Sequence, residues 1–120
     1  MSVIDRSGNY IGGVILPGLK VSLDSLSGKT AQLPYISLEV PNKVIGKNTI
    51  DCMRAGIVFS NVDMIDGLLD RMEKELGETP TVIATGGLAR FITPLCRHEI
   101  IFDDALLLKG LLILYRKNTQ

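Results

Sequence analysis

Three short clusters in this 120-residue chain carry residue types that could do chemistry. The first is Thr85-Gly86-Gly87, set between an apolar run and a further apolar stretch. Glycines at such a place let a ligand approach the backbone, and the helix that follows presents free N–H groups. The plainer reading is an ordinary strand-to-helix turn. The second is Gly46-Lys47-Asn48-Thr49. A hydroxyl at a helix start, beside a lysine and backbone donors, suits a polar or anionic small molecule. It is not a phosphate loop, because position 41, where the upstream glycine is required, is Pro41. Its plainer reading is a helix cap with a solvated lysine. The third is Gly12-Gly13 with Pro17-Gly18. This pair of motifs either bends a strand and turns it into a helix or brings backbone close to phosphates.

Metal and nucleophile chemistry have little to draw on. His98 is the single histidine, so no multi-histidine metal centre exists. It reads as a turn or surface residue. Cys52 and Cys96 fit no zinc or redox spacing and read as reduced thiols. Asp63, Asp66 and Asp70 with Lys74 read as a solvated helix face, with Asp70 and Lys74 an i,i+4 pair. Asp103-Asp104 reads as a helix cap, an acidic pair that could also help hold a cation. No residue is assigned a catalytic or metal-ligating role.

The elements that must position these clusters alternate between strand and helix. Residues 5–9, Asp-Arg-Ser-Gly-Asn, have hairpin-turn chemistry, with 2–5 as the end of one strand and 9–16 as the next. The double glycine predicts a bulge or a close backbone approach. Pro17-Gly18 opens a helix with Leu19, Leu23 and Leu26 on one face, and Gly28 ends it. Residues 33–40 read as a short strand closed by Pro41-Asn42. A long helix, or two, starts at Asn48 or Thr49 and stops at Gly77. Its segment 55–59 is apolar on all sides and must be covered by its own domain or by a second chain. A strand at 81–84, a short helix over 88–95, a strand at 100–102 and an apolar helix through Tyr115 complete an α/β fold with a mixed sheet flanked by helices.

Composition narrows the function. Thirteen basic residues balance thirteen acidic ones, so no global field draws a nucleic acid. The apolar share of 46% fits one folded domain of ordinary core size. The greasiest run, 105–115, is interrupted by Lys109 and Gly110 and falls short of a membrane span of about 20 residues. These features predict a cytoplasmic protein without membrane or nucleic-acid partners.

Taken in order, the motifs resemble those of type III pantothenate kinases. The residues concerned are Tyr10-Ile11-Gly12-Gly13 with Pro17-Gly18-Leu19, Thr30-Ala31-Gln32-Leu33-Pro34, and Ile45-Gly46-Lys47-Asn48-Thr49 with Gly56-Ile57. Thr85-Gly86-Gly87-Leu88-Ala89 and Leu108-Lys109-Gly110-Leu111 with Asn118 continue the series. The resemblance implies an actin-like ATPase fold of two ribonuclease-H-like domains. It implies ATP-dependent phosphorylation of pantothenate, the first step of coenzyme A synthesis, with a divalent metal (Mg), a monovalent cation (K or NH4) and a homodimer. Thr49 matches the family's pantothenate-contacting threonine. Thr85, Gly86 and Gly87 match its adenosine motif, and Gly12 and Gly13 follow its second phosphate motif.

The Asp-x-Gly-Asn-Thr phosphate loop, the Gly-x-Asp-Arg motif with the general-base aspartate, and the Asp-x-Gly-Thr motif are not in this sequence. The expectation is a single C-terminal ribonuclease-H-like domain over 1–120 with a truncated first strand. The N-terminal domain is absent, and the chain alone is inactive as a kinase. A non-catalytic accessory protein or a dimerisation module of the same fold is the alternative.

Overall fold

The structure is a computed structural model that describes residues 1–27 and 37–119. Its elements begin with a hairpin, β1 (Ser2–Ile4) and β2 (Tyr10–Gly13), paired antiparallel. Asp5 folds the turn: its carboxylate accepts the N–H groups of Ser7 at 2.9 Å and Asn9 at 2.8 Å. Those amides hold the Asp5 carboxyl below its usual range, that of Asn9 foremost. The register slips between Val3 and Ile4, which leaves Ile11 as the extra residue of a bulge flanked by Gly12. Gly12 takes φ +136°, and a side chain on Gly13 would run into the main chain of Met1 and Ser2. The glycine pair therefore serves both structural purposes its chemistry predicted.

Helix α1 (Leu19–Ser27) buries Leu19 and Leu23. The expected Gly28 stop and the residues 33–36 of the expected strand lie outside the described residues; residues 37–40 carry no strand pairing. Helix α2 (Thr49–Leu76) is one continuous helix of 28 residues, about 42 Å long at 1.5 Å per residue. No proline interrupts it, Asn48 caps its start, and Gly77 ends it in the left-handed region at φ 73°. The apolar segment within it is covered by the chain itself: Ala55, Ile57 and Val58 are buried, and only Gly56 faces out.

Strand β3 (Val82–Ala84) pairs in parallel with β4 (Ile100–Phe102). Between them α3 (Ala89–Ile92) gives way to a 3-10 turn, Thr93–Leu95. Pro94 explains the change, since it has no N–H to continue an α-helical ladder and its ring crowds the carbonyl four residues back. Helix α4 (Leu106–Asn118) closes the described chain. Its N-cap position is Ala105, which has no side-chain cap; Asp103 acts two residues earlier, accepting the Ala105 N–H at 3.0 Å.

The expected single mixed sheet is instead two two-stranded sheets among the described residues, one antiparallel and one parallel. Arg6 in the hairpin turn reaches Glu78, just ahead of β3, at 2.5 Å. The core is compact and local to the helices: Leu19 and Leu23 of α1, Met53, Ile57 and Val62 of α2, and Ile92 of α3. Away from it, apolar surface stays open. Helix α4 buries no residue, and Leu107, Leu108, Ile113 and Tyr115 are each more than half exposed. The radius of gyration is 17.3 Å, against about 13–14 Å for a compact domain of this length.

Candidate functional site

The start of α2 borders an open recess. Asn48 has extended backbone angles, and its side-chain oxygen accepts the Asp51 N–H at 2.9 Å. Its amide group donates to the Asp51 carboxylate at 2.8 Å. The Asn48 carbonyl accepts the Cys52 N–H at 2.9 Å, closing the first helical turn. This reciprocal arrangement fixes where the helix begins, and so places Thr49 at its first position. Around it opens a cleft of about 580 Å³ lined by Leu26, Gly46, Lys47, Asn48, Thr49, Cys52 and Met53. A hydroxyl, an ammonium and the start of a helix thus line the same recess as the apolar Leu26 and Met53.

The other predicted positions lie apart from this cleft. Neither Gly12-Gly13 nor Thr85-Gly86-Gly87 lines it. Gly86 sits at φ 101°, immediately after β3, and its carbonyl accepts the Ala89 N–H at 3.2 Å. A methyl group on Gly86 or Gly87 would meet nothing within 4 Å, so this strand end presents open backbone. Thr85, Gly86 and Gly87 are all exposed.

A second polar cluster joins α2 to the segment before β4, and it corrects the reading of a solvated acidic face. Asp66 is buried, and its two carboxylate oxygens accept the backbone N–H of Arg97 at 2.8 Å and of His98 at 3.2 Å. Asp70 pairs with Arg97 through two hydrogen bonds, of 3.2 and 2.6 Å, and with His98 Nε2 at 2.7 Å, rather than with Lys74. These bonds, the one from Arg97 first, hold the Asp70 carboxyl down to about 2. The His98 ring also lies 3.6 Å from Glu73. No local spacing announces this cluster, because its members are 27 to 32 residues apart in the chain.

The two thiols are free and differ in setting. Cys52 is exposed in the cleft, a lining residue that sequence reading did not place there. Its position three residues along the helix from Thr49 is the signal that could have done so. Cys96 packs against the core, and burial, then the charges of Asp66 and Asp63, push its thiol up to about 11. Among the described residues no group of three or more His, Cys, Asp or Glu side chains is placed to hold a metal. No helix among them is long and apolar enough to cross a membrane.

Comparison with known proteins gives a consistent match. The sequence profile of the family described as type III pantothenate kinase matches residues 1–71. Over 115 residues the chain is 43% identical to a type III pantothenate kinase of Bacillus cytotoxicus, covering 96% of this chain and 44% of that protein. It is 39% identical over 116 residues to one of Syntrophus aciditrophicus and 41% identical over 116 residues to one of Moorella thermoacetica. In both cases 97% of this chain and 46% of the relative are covered. The chain spans about half the length of the curated relatives it matches.

Proposed function

Because the chain belongs to the type III pantothenate kinase family, we propose that it supplies the acceptor-binding lobe of an enzyme that phosphorylates pantothenate with ATP. The observation that carries this reading is the cleft at the start of α2, which Thr49 and Lys47 both line. In that cleft the Thr49 hydroxyl is a hydrogen-bond partner for a polar acceptor, and the Lys47 ammonium offers a counter-charge for a carboxylate. Leu26 and Met53 suit the branched apolar part of such a molecule.

ATP is proposed to meet the chain at the end of β3. Thr85 and the open backbone of Gly86 and Gly87 leave room for a flat base to lie close. Gly12 and Gly13 are the proposed backbone approach on the phosphate side. In this reading, ATP supplies the phosphoryl group and the chain binds and orients its adenosine. A divalent cation bound with ATP would be held largely by the phosphates, since among the described residues no group of three or more His, Cys, Asp or Glu side chains is placed to hold one. Phosphoryl transfer also needs a base for the attacking hydroxyl and a cradle for the phosphates. Both are proposed to come from a second lobe.

Calorimetric titration of the chain with pantothenate tests the reading. Saturable binding is expected, weakened about tenfold by Thr49→Val, which keeps the shape and removes the hydroxyl. No heat with the unsubstituted chain, or equal affinity in the variant, would contradict it.

A second reading, that the chain also serves as an assembly module, is favoured by α4, whose apolar residues are exposed around the helix. A helix of that character needs a packing partner, and homodimerisation is the proposed form. Light scattering across micromolar concentrations tests it: a dimer is expected, and a monomer throughout would contradict it.

A further inference from the structure

We propose that Gly46 is the positioning residue of the α2 cleft: its missing side chain lets the strap carrying Lys47 lie against the first turn of the helix. Gly46 stands where a β-carbon would lie 2.7 Å from both the Asp51 carbonyl carbon and the Cys52 α-carbon. It would lie closer still to the Cys52 amide nitrogen. All three are main-chain atoms, so no rotamer change can relieve the overlap. The two glycines inside α2 behave differently: a β-carbon on Gly56 or Gly67 would meet nothing within 4 Å.

The consequence follows from chain connectivity. Gly46 is anchored against residues 51 and 52, and Asn48 is anchored to the same two residues by its cap bonds. Lys47 is the one residue between these anchors, so its main chain has little freedom to move. A side chain at position 46 would release the first anchor; it would crowd the Cys52 amide that donates to the Asn48 carbonyl, but spare the two bonds between the Asn48 side chain and Asp51. The helix would persist, while Lys47 and the rim of the cleft would swing away from Thr49. The defect belongs to binding and not to folding.

This proposal rests on the reading that the cleft takes pantothenate, and its test separates the two. Gly46→Ala is compared with Gly67→Ala and the unsubstituted chain by three measurements: helical circular dichroism, pantothenate titration, and the iodoacetamide alkylation rate of Cys52 relative to Cys96. The expected result is helical content unchanged in Gly46→Ala, a Cys52-to-Cys96 rate ratio altered by about threefold, and pantothenate affinity reduced about tenfold. Gly67→Ala should match the unsubstituted chain in both rate ratio and affinity. An unaltered Cys52 ratio in Gly46→Ala overturns the proposal. So does unfolding of that variant with both thiols equally reactive, which would make Gly46 a fold residue. If the unsubstituted chain binds no pantothenate, the substrate reading falls, and the Cys52 ratio alone still decides whether Gly46 seats the rim.

Discussion

Both polar atoms of the Asn48 side chain are held by Asp51, one by its backbone N–H and one by its carboxylate. The Asn48 oxygen takes the Asp51 amide at 2.9 Å, and the Asn48 nitrogen gives to the Asp51 carboxylate at 2.8 Å. Four orphan N–H groups open every helix, and here one side chain both satisfies one of them and is itself braced. The acidic partner also lies in the first turn, where the helix dipole favours it. The pair sets the position of Thr49, and through it the proposed acceptor site.

Asn48→Ala should therefore cost about 1 kcal/mol of stability, the usual worth of a side-chain cap. Urea unfolding followed by circular dichroism measures it. A change indistinguishable from zero would mean that the tertiary contacts of α2 fix its start without the cap.

Acid should act through Asp70. Its carboxyl is held down to about 2 in the fold, below the usual carboxylate range, because Arg97 and then His98 bond to the ionised form. A depressed carboxyl stabilises the fold above its unfolded pKa, and that contribution fades as pH falls through the folded value. The loss belongs to the window between about pH 4 and pH 2. Thermal melts across that window should fall more steeply for the unsubstituted chain than for Asp70→Asn. Parallel slopes would remove Asp70 from the acid response.

The thiols should report the cleft. Cys52 is exposed there, whereas the Cys96 thiol is pushed up to about 11 and half-buried. At pH 8, iodoacetamide should label Cys52 first, and saturating pantothenate should slow that labelling about fivefold by covering it. Mass spectrometry of peptides gives both rates. Faster labelling of Cys96, or no protection of Cys52, would contradict the placement.

Core and open surface should separate cleanly in mutagenesis. Ile57 is 2% exposed, so Ile57→Ala should cost about 2–5 kcal/mol. Ile113 on α4 is 55% exposed, so Ile113→Ala should change monomer stability by only about 0.5 kcal/mol. A large loss from Ile113→Ala at concentrations where the chain is monomeric would mean that α4 packs within its own chain.

Local chemistry carried much of this organisation in the sequence. Asp5 with Gly8 marked the hairpin turn, Asn48 and Gly77 marked both ends of α2, and the double glycine marked the bulge, because each acts on its own neighbours. That Lys47 and Thr49 lie together at the start of α2 was legible for the same reason. Asp66 was not: it sits on the polar side of a helix pattern, and its burial comes from amides 31 and 32 residues away. The single mixed sheet was misread because period-two patterning identifies strands without saying which of them meet. The role of Gly46 needed coordinates, since a glycine before a helix looks alike whether it faces solvent or main chain.

The function proposed here is that this chain grips the acceptor while phosphoryl transfer requires a second lobe. The most direct measurement mixes it with a separately produced first half of a matched relative and follows ATP-dependent formation of phosphopantothenate. The account predicts no turnover by either half alone and turnover by the mixture, lost with Thr49→Val. Turnover by this chain alone would contradict the claim, as would a mixture that associates yet never phosphorylates pantothenate.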